Sequence, residues 1–90
     1  MRSGGEQKPP LRRIHRDLTY ERDPRARLSL AYHRSRSTEE IVASLRRGED
    51  EPLRVKPDGR IFQGNTRIKV LQERGYPVDE LPRLPVRDDE

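Results

Sequence analysis

A β-hairpin pattern that runs directly into a helical pattern constrains the fold more than any other part of this chain. Residues 53–55 (LRV) alternate as in a strand, residues 57–59 (PDG) are a tight-turn sequence, and residues 61–62 (IF) are typical of a returning strand. Gly64 then precedes a helix that begins one or two residues later and ends at Gly75. The pattern predicts an α+β fold.

A second short helix is predicted immediately before the hairpin. Ser37 and Glu40 have the spacing of a capping box, in which each side chain bonds the other residue's backbone N–H. Apolar residues between positions 41 and 45 share one helix face, and Gly48 is placed to end the helix after about three turns. At the other end, residues 81–86 (LPRLPV) form a short edge strand at most, because proline cannot donate to a sheet.

These signals predict one small domain at residues 37–86, preceded by a basic extension at residues 1–36 and followed by an acidic tail at residues 87–90. The extension is predicted to be partly disordered, above all in its first ten residues. Apolar spacing between residues 11 and 18 predicts a short helix there. Residues 28–32 (LSLAY) fit either an edge strand or the start of a helix.

Composition limits what this domain can be. With 29% hydrophobic and 40% charged residues the core is thin, so we expect a homo-oligomer or a hetero-complex. The absence of cysteine excludes disulfides, thiolate catalysis and cysteine-rich zinc sites, and the two histidines have no carboxylates at ligand spacing, so no metal site is predicted. No apolar run has the length of a membrane span or a secretory signal, and we expect a cytoplasmic protein.

The positive charge is concentrated near the N-terminus. Residues 1–36 contain ten Lys and Arg against four Asp and Glu, whereas residues 37–90 contain ten against twelve. Such an arm suits a nucleic-acid backbone or an acidic protein partner, but it is equally compatible with a solvated leader that binds nothing. The candidate nucleic-acid contacts are Arg12, Arg13, Arg16, Arg34 and Arg36.

Arg67 is predicted to lie in the first turn of the second helix, where a positive charge opposes the helix dipole. A bound phosphate would remove that conflict, because Gly64 permits close approach and the first-turn N–H groups need acceptors. Asn65 and Thr66 can then donate through their side chains, and Arg67 can bind the phosphate bidentately. The alternative, which spacing alone favours, is that Asn65 or Thr66 only caps the helix while Arg67 pairs with Asp58 or Glu40.

The order of these elements resembles the N-terminal domain shared by ParB partition proteins and sulfiredoxin. The resemblance covers residues 37–86 and rests on ASL at 43–45, PLRVKPDGRIFQGNTRIKVLQERGY at 52–76 and LPRLPV at 81–86. It implies binding of a nucleotide, ATP or CTP with Mg²⁺, through a G-x-x-R motif. That motif corresponds here to Gly64, Asn65, Thr66 and Arg67.

The chain also departs from this family. Sulfiredoxin chemistry needs a cysteine within the motif, where this chain has Asn65, so that activity is excluded. The partition proteins carry G-E-R-R at this point and continue into a helix-turn-helix, and this chain ends before one. Site-specific DNA binding of that kind is therefore not expected. Arg34 and Arg36 lie where the partition proteins carry an arginine patch.

Two functions remain open at this point. The first is a small ParB-like domain that binds a nucleotide or other phosphate ligand, with NTPase or nuclease activity as an option. Glu40 and Asp58 are the carboxylates nearest the motif and the weak candidates for a catalytic residue. We favour a capping role for Glu40 and a turn role for Asp58. The second is a non-catalytic interaction module, such as a toxin–antitoxin component, that binds a protein or nucleic acid through its basic arm.

Overall fold

The computed structural model describes residues 9–14 and 16–87, and it has the predicted α+β architecture. The described elements are four helices, a three-stranded sheet and a 3₁₀ turn. In chain order they are α1 (Asp17–Arg22), α2 (Pro24–Arg34), α3 (Thr38–Ser44), β1 (Arg54–Val55), β2 (Ile61–Gln63), α4 (Asn65–Glu73), the 3₁₀ turn (Val78–Glu80) and β3 (Leu84–Pro85). Residues 1–8 and 88–90, which include most of the predicted disordered segment and acidic tail, lie outside the described residues.

The predicted hairpin and edge strand are both confirmed. The strand order is β2-β1-β3, with the central strand β1 antiparallel to β2 and parallel to β3. Gly59 closes the hairpin turn with φ of 96°, and a Cβ atom at this position would collide with the carbonyl oxygen of Pro10. The turn sequence thus serves both the hairpin and its contact with the N-terminal segment.

The centre of the core lies where α3 and α4 cover the sheet. Seven large side chains there are less than 2% exposed, namely Ile41, Leu45, Leu53, Ile61, Ile68, Val70 and Leu71. The N-terminal segment adds Leu11, Tyr20 and Leu30, which are 7%, 4% and 7% exposed. Among the described helices, none combines the length and apolarity that crossing a membrane requires.

A chain of ion pairs joins α1 and α2 to the outer face of α4. Asp17 lies 3.4 Å from Arg13 and 3.1 Å from Lys69, and Glu73 lies 3.5 Å from Lys69 and 2.6 Å from Arg34. The hydrogen bond from Lys69 lowers the pKa of Asp17, and that from Arg34 lowers the pKa of Glu73. These contacts lie at the surface, where screening by water keeps each contribution small.

The helix predicted from residue 11 does not begin there, because the backbone of residues 11 and 12 bonds to distant elements. The N–H of Leu11 donates to the carboxylate of Asp79 at 2.8 Å, and the N–H of Arg12 donates to the carbonyl of Gly59 at 2.8 Å. A helix begins only at Asp17. Residues 28–32 lie inside α2, so the helical alternative was the correct one for them.

The capping box at the start of α3 is confirmed, but α3 is shorter than predicted. Glu40 N–H donates to the Ser37 hydroxyl at 3.1 Å, and Ser37 N–H donates to the Glu40 carboxylate at 3.0 Å. The helix ends at Ser44, before Gly48, because the Leu45 carbonyl accepts the N–H of Leu53 at 2.9 Å. This long-range bond turns the chain toward β1.

Candidate functional site

Gly64 is the N-cap residue of α4 and has a left-handed backbone with φ of 116°. A Cβ atom at this position would lie 3.2 Å from Leu53 Cδ1 and 3.3 Å from Leu45 Cδ2. The dihedral angle therefore favours glycine, and the two leucines leave little room for a Cβ atom. The first residue of the G-x-x-R motif has a structural reason to be glycine in the absence of any ligand.

The side chains of Asn65 and Thr66 are engaged within the protein. Asn65 is 5% exposed, accepts the N–H of Ile14 at 2.8 Å and donates to the carbonyl of Ile61 at 3.0 Å. The Thr66 hydroxyl lies 3.0 Å from the Tyr20 hydroxyl in a hydrogen bond. Neither side chain caps α4, contrary to our expectation. What the first turn can offer a ligand is its backbone N–H groups, which have no acceptor within a helix.

Arg67 is buried, with 6% of its surface exposed. Its Nη1 donates to both the carbonyl and the hydroxyl of Ser44, each at 3.2 Å. Ser44 is the last residue of α3, and the C-terminal end of a helix favours a cation. The arginine thus begins in the first turn of one helix, where its charge is unfavourable, and reaches the last turn of another, where it is favourable.

The carboxylates considered as partners for Arg67 bond to other groups. Asp58 accepts the backbone N–H of Arg60 at 3.0 Å and its Nε at 2.7 Å, and it lies 3.4 Å from Arg12. Glu40 is held in its capping box. The expected pairing of Arg67 with Asp58 or Glu40 is therefore wrong, and both carboxylates have the turn and capping roles that we favoured.

Two nitrogens of the Arg67 guanidinium, Nε and Nη2, have no hydrogen-bond acceptor in the part of the chain that the structure describes. Burial lowers the pKa of Arg67, the nearby Arg36 adds to this, and the attraction of Glu51 opposes it. Among the described residues, Glu51 is too far from Arg67 to form an ion pair with it. These two nitrogens keep some contact with solvent, since the described residues have Arg83 Nε, and no Arg67 atom, as a fully buried side-chain nitrogen without a partner. An anion in the cleft would take the place of that water beside a guanidinium that is otherwise buried.

Arg67 lines two cavities, which we call together the Arg67 cleft. The larger, of about 430 Å³, lies among Arg67, Ser44, Tyr32, His33, Arg36 and the loop 49–51. The smaller, of about 220 Å³, is lined by the first turn of α4 together with Ser29, His33, Glu51 and Phe62. His33, Glu51 and Arg67 border both cavities, so the cleft follows the boundary between α2 and the N-terminal end of α4.

Sequence reasoning missed the contribution of α2 to this cleft. Ser29, Tyr32 and His33 follow one another at helical spacing, which places them on one face of α2, and Arg36 lines the cleft from just beyond the end of this helix. Arg36 Nη1 lies 3.4 Å from His33 Nδ1. Burial lowers the pKa of His33, and the charges of Arg67 and Arg36 lower it further. The spacing of these residues could have predicted this face, but only if residues 28–32 had been assigned to a helix.

The candidate nucleic-acid contacts are distributed over separate places. Arg12 and Arg34 lie in ion pairs with Asp58 and Glu73, and Arg13 pairs with a carboxylate of α1. Arg16 is exposed, and Arg36 lines the Arg67 cleft. Of these five arginines, the structure brings Arg36 to the candidate phosphate site.

A larger groove, of about 1030 Å³, lies among α1, α2 and Lys69. Three of its charged groups lie in ion pairs, since Asp17 binds Lys69 and Arg34 binds Glu73. The Arg67 cleft has the less satisfied charge and is the better candidate site, although it is smaller. The described residues contain no group of three or more His, Asp or Glu side chains that could hold a metal ion.

No protein-family model, curated protein or solved structure matches this chain.

Proposed function

We propose that this protein binds a phosphate-bearing ligand in the Arg67 cleft. The observation that carries the proposal is the buried guanidinium of Arg67, which borders an open cavity and has two nitrogens without a protein acceptor in the described residues. A phosphate oxygen is a suitable acceptor, because arginine and phosphate form short, charge-assisted hydrogen bonds.

The first turn of α4 adds donors of a second kind. Gly64 to Arg67 border the smaller cavity, and the N–H groups of a first turn point away from the helix toward whatever lies before it. Together with the positive end of the helix dipole, they favour an anion. Arg67 and the backbone of its own turn thus offer a phosphate two sets of donors at one end of the cleft.

The resemblance to ParB-like domains suggests ATP or CTP as the ligand, accompanied by Mg²⁺. Because the described residues bring together no metal-binding group of three side chains, the protein would hold Mg²⁺ chiefly through the ligand's phosphates and water. We propose that the ligand binds and that neither Glu40 nor Asp58 catalyses its hydrolysis. The carboxylates of both residues are committed to structural hydrogen bonds.

The alternative function is an interaction module that uses the basic N-terminal arm. Three of its candidate arginines, Arg12, Arg13 and Arg34, already pair with carboxylates, which reduces the free positive charge of the described part of the arm. Binding of nucleic acid by this arm remains a prediction, and its affinity should fall steeply with salt concentration if it occurs.

The proposal is tested by thermal unfolding with inorganic phosphate. A ligand that binds the folded state alone stabilises it by mass action, so we expect the melting temperature to rise by about 5–10 °C at ten times Kd. Arg67→Met, which keeps the aliphatic stem but removes the guanidinium, should lose this rise. Isothermal titration calorimetry should show the same difference between the two proteins.

A matched control separates binding from the general stabilising effect of phosphate salts. Arg27→Ala removes an exposed arginine of α2 that lies outside the Arg67 cleft, so its response should equal that of the parent protein. Arg36→Ala, within the cleft, should reduce the response in part. An equal rise in the parent and in Arg67→Met would show that the phosphate acts elsewhere, and would refute the proposal.

A further inference from the structure

A further cavity, of about 400 Å³, is bordered by the hairpin turn and the edge strand β3, and it shares no lining residue with the Arg67 cleft. Its apolar walls are Val55 and four prolines, Pro9, Pro57, Pro82 and Pro85, and we call it the proline cavity. These are half of the eight prolines in the chain. A proline ring is rigid and has no N–H, so the walls are preformed and apolar, and the volume lies in the range of small-molecule sites.

The charged residues that line the proline cavity are basic. They are Arg47, Lys56 and Arg83, and none of the described lining residues is a carboxylate. Arg47 is exposed, and its side chain forms no ion pair or hydrogen bond with the described residues. Lys56 Nζ lies 5.8 Å from the ring centroid of Phe62. A cavity with this lining attracts anions and repels cations.

Arg83 is a buried cation whose hydrogen-bond donors are incompletely satisfied. Its side chain is 9% exposed, its Nη1 donates to the carbonyl of Pro9 at 2.6 Å, and its Nε is buried without a partner among the described residues. Burial lowers the pKa of Arg83, and the carboxylate of Asp79, at 4.0 Å, opposes this effect. A carboxylate in the cavity would offset the cost of this charge without a direct bond to Nε, because opposite charges attract more strongly in apolar surroundings.

The edge strand limits the kind of ligand that can bind here. The N–H groups of Leu84 and Val86 already donate to carbonyls of the central segment 53–55, at 2.8 and 3.0 Å. Pro85, which lies between them, has no N–H to offer. A peptide that added a strand to β3 would therefore find no backbone donor along this stretch, whereas a small molecule needs only the side chains.

We propose that the proline cavity binds a small carboxylic acid with an aromatic or aliphatic body. The carboxylate pairs with Arg47 and is attracted by the charge of Arg83, while the apolar body lies against the proline rings. A phosphate monoester carries more charge than a carboxylate and is costlier to bring against apolar walls. This site is therefore distinct from the proposed phosphate site in its ligand as well as in its residues.

The test is calorimetric titration of the full chain with benzoate, benzamide and acetate. Benzoate has both the ring and the charge, benzamide lacks the charge, and acetate lacks the ring. We expect benzoate to bind roughly ten-fold more tightly than either of the others, since partial burial of a ring and a charge-assisted hydrogen bond each contribute an effect of this size. The NMR signals of the Val55, Lys56 and Arg83 amides should shift on addition of benzoate and so locate the site.

Arg47→Gln should weaken benzoate binding several-fold. Arg46→Gln is the matched control, because Arg46 is the neighbouring exposed arginine and does not line the cavity, so its affinity should equal that of the parent. Arg67→Met should also bind benzoate as the parent does, which separates this site from the phosphate site. The proposal is overturned if benzamide or acetate binds as tightly as benzoate, or if Arg47→Gln binds like the parent. It is also overturned if benzoate does not bind, or if Arg67→Met abolishes its binding, which would place the anion in the Arg67 cleft.

Discussion

The two halves of this protein are held together by different forces. The sheet side, residues 37–86, contains all seven of the large side chains that are less than 2% exposed. The N-terminal layer, residues 9–36, contributes three core side chains and adds a surface chain of ion pairs and several long-range hydrogen bonds. Apolar burial is not weakened by screening or by acid, whereas ion pairs are weakened by both. We therefore expect acid and salt to loosen the N-terminal layer first.

The Arg67 cleft lies at the boundary between these halves. The layer supplies Tyr32, His33 and Arg36, and the sheet side supplies Arg67 and Glu51. A ligand that contacts both halves binds only while the layer is in place. Its binding should therefore stabilise the attachment of the layer, through the same mass action that raises the melting temperature. The contact between the two halves thus bears on function as well as on stability.

The largest effect is expected from the sheet side. Ile68 is fully buried in α4, so Ile68→Ala removes apolar contacts and leaves a cavity, at a cost of about 2–5 kcal/mol in the free energy of unfolding. Urea denaturation measures this loss. Leu28→Ala, on the exposed face of α2, should change stability by less than about 0.5 kcal/mol. Comparable losses in the two variants would contradict the division between a buried sheet side and a lightly held layer.

A smaller loss is expected where the halves meet at Asn65. Its side chain joins the N–H of Ile14 in the layer to the carbonyl of Ile61 in β2. Asn65→Ala leaves both backbone groups without this partner, and we expect it to cost about 1–3 kcal/mol. Hydrogen exchange should show that the Ile14 amide loses its protection. If this amide stays protected in the variant, Asn65 does not hold the layer in place.

Sequence reasoning predicted the sheet side well and the N-terminal layer poorly. The turn 57–59, the capping box at Ser37 and the glycine before α4 are local signals, and each correctly located an element. In the layer, the N–H groups of Leu11 and Arg12 bond to residues far along the chain. Apolar spacing in a single segment carries no information about such partners, so it suggested a helix from residue 11, whereas α1 begins at Asp17.

The candidate site was predicted only in part, because several of its contacts also join residues far apart in the chain. Gly64 and Arg67 follow from a local motif, and they do border a cleft. The sequence could not show that Arg67 reaches Ser44, or that His33 and Tyr32 approach it, because these contacts depend on how α2 and α3 pack against α4. The side chain of Asn65 was assigned to a ligand, but the structure uses it to hold the N-terminal segment.

The smallest effect is expected from the ion pairs, and it distinguishes the two halves most directly. The pKa of Glu73 is lowered from its ordinary value of 4.5 by the hydrogen bond from Arg34. A carboxylate with a lowered pKa in the folded state adds stability that is present above that ordinary value and is lost as the pH falls below it. The parent should therefore lose stability below about pH 4.5, and Glu73→Gln should lose less over the same range.

At neutral pH, Glu73→Gln should cost no more than about 1 kcal/mol, because the pair is at the surface, and 1 M salt should remove the difference from the parent. Glu21→Gln is the control, since Glu21 is an exposed carboxylate of α1 without an ion pair among the described residues. Hydrogen exchange should show faster opening of the amides of α1 and α2, while those of β1 and α4 keep their protection. If hydrogen exchange became equally faster in both halves, they would unfold as one unit. The two halves would then differ in their contacts but not in their stability.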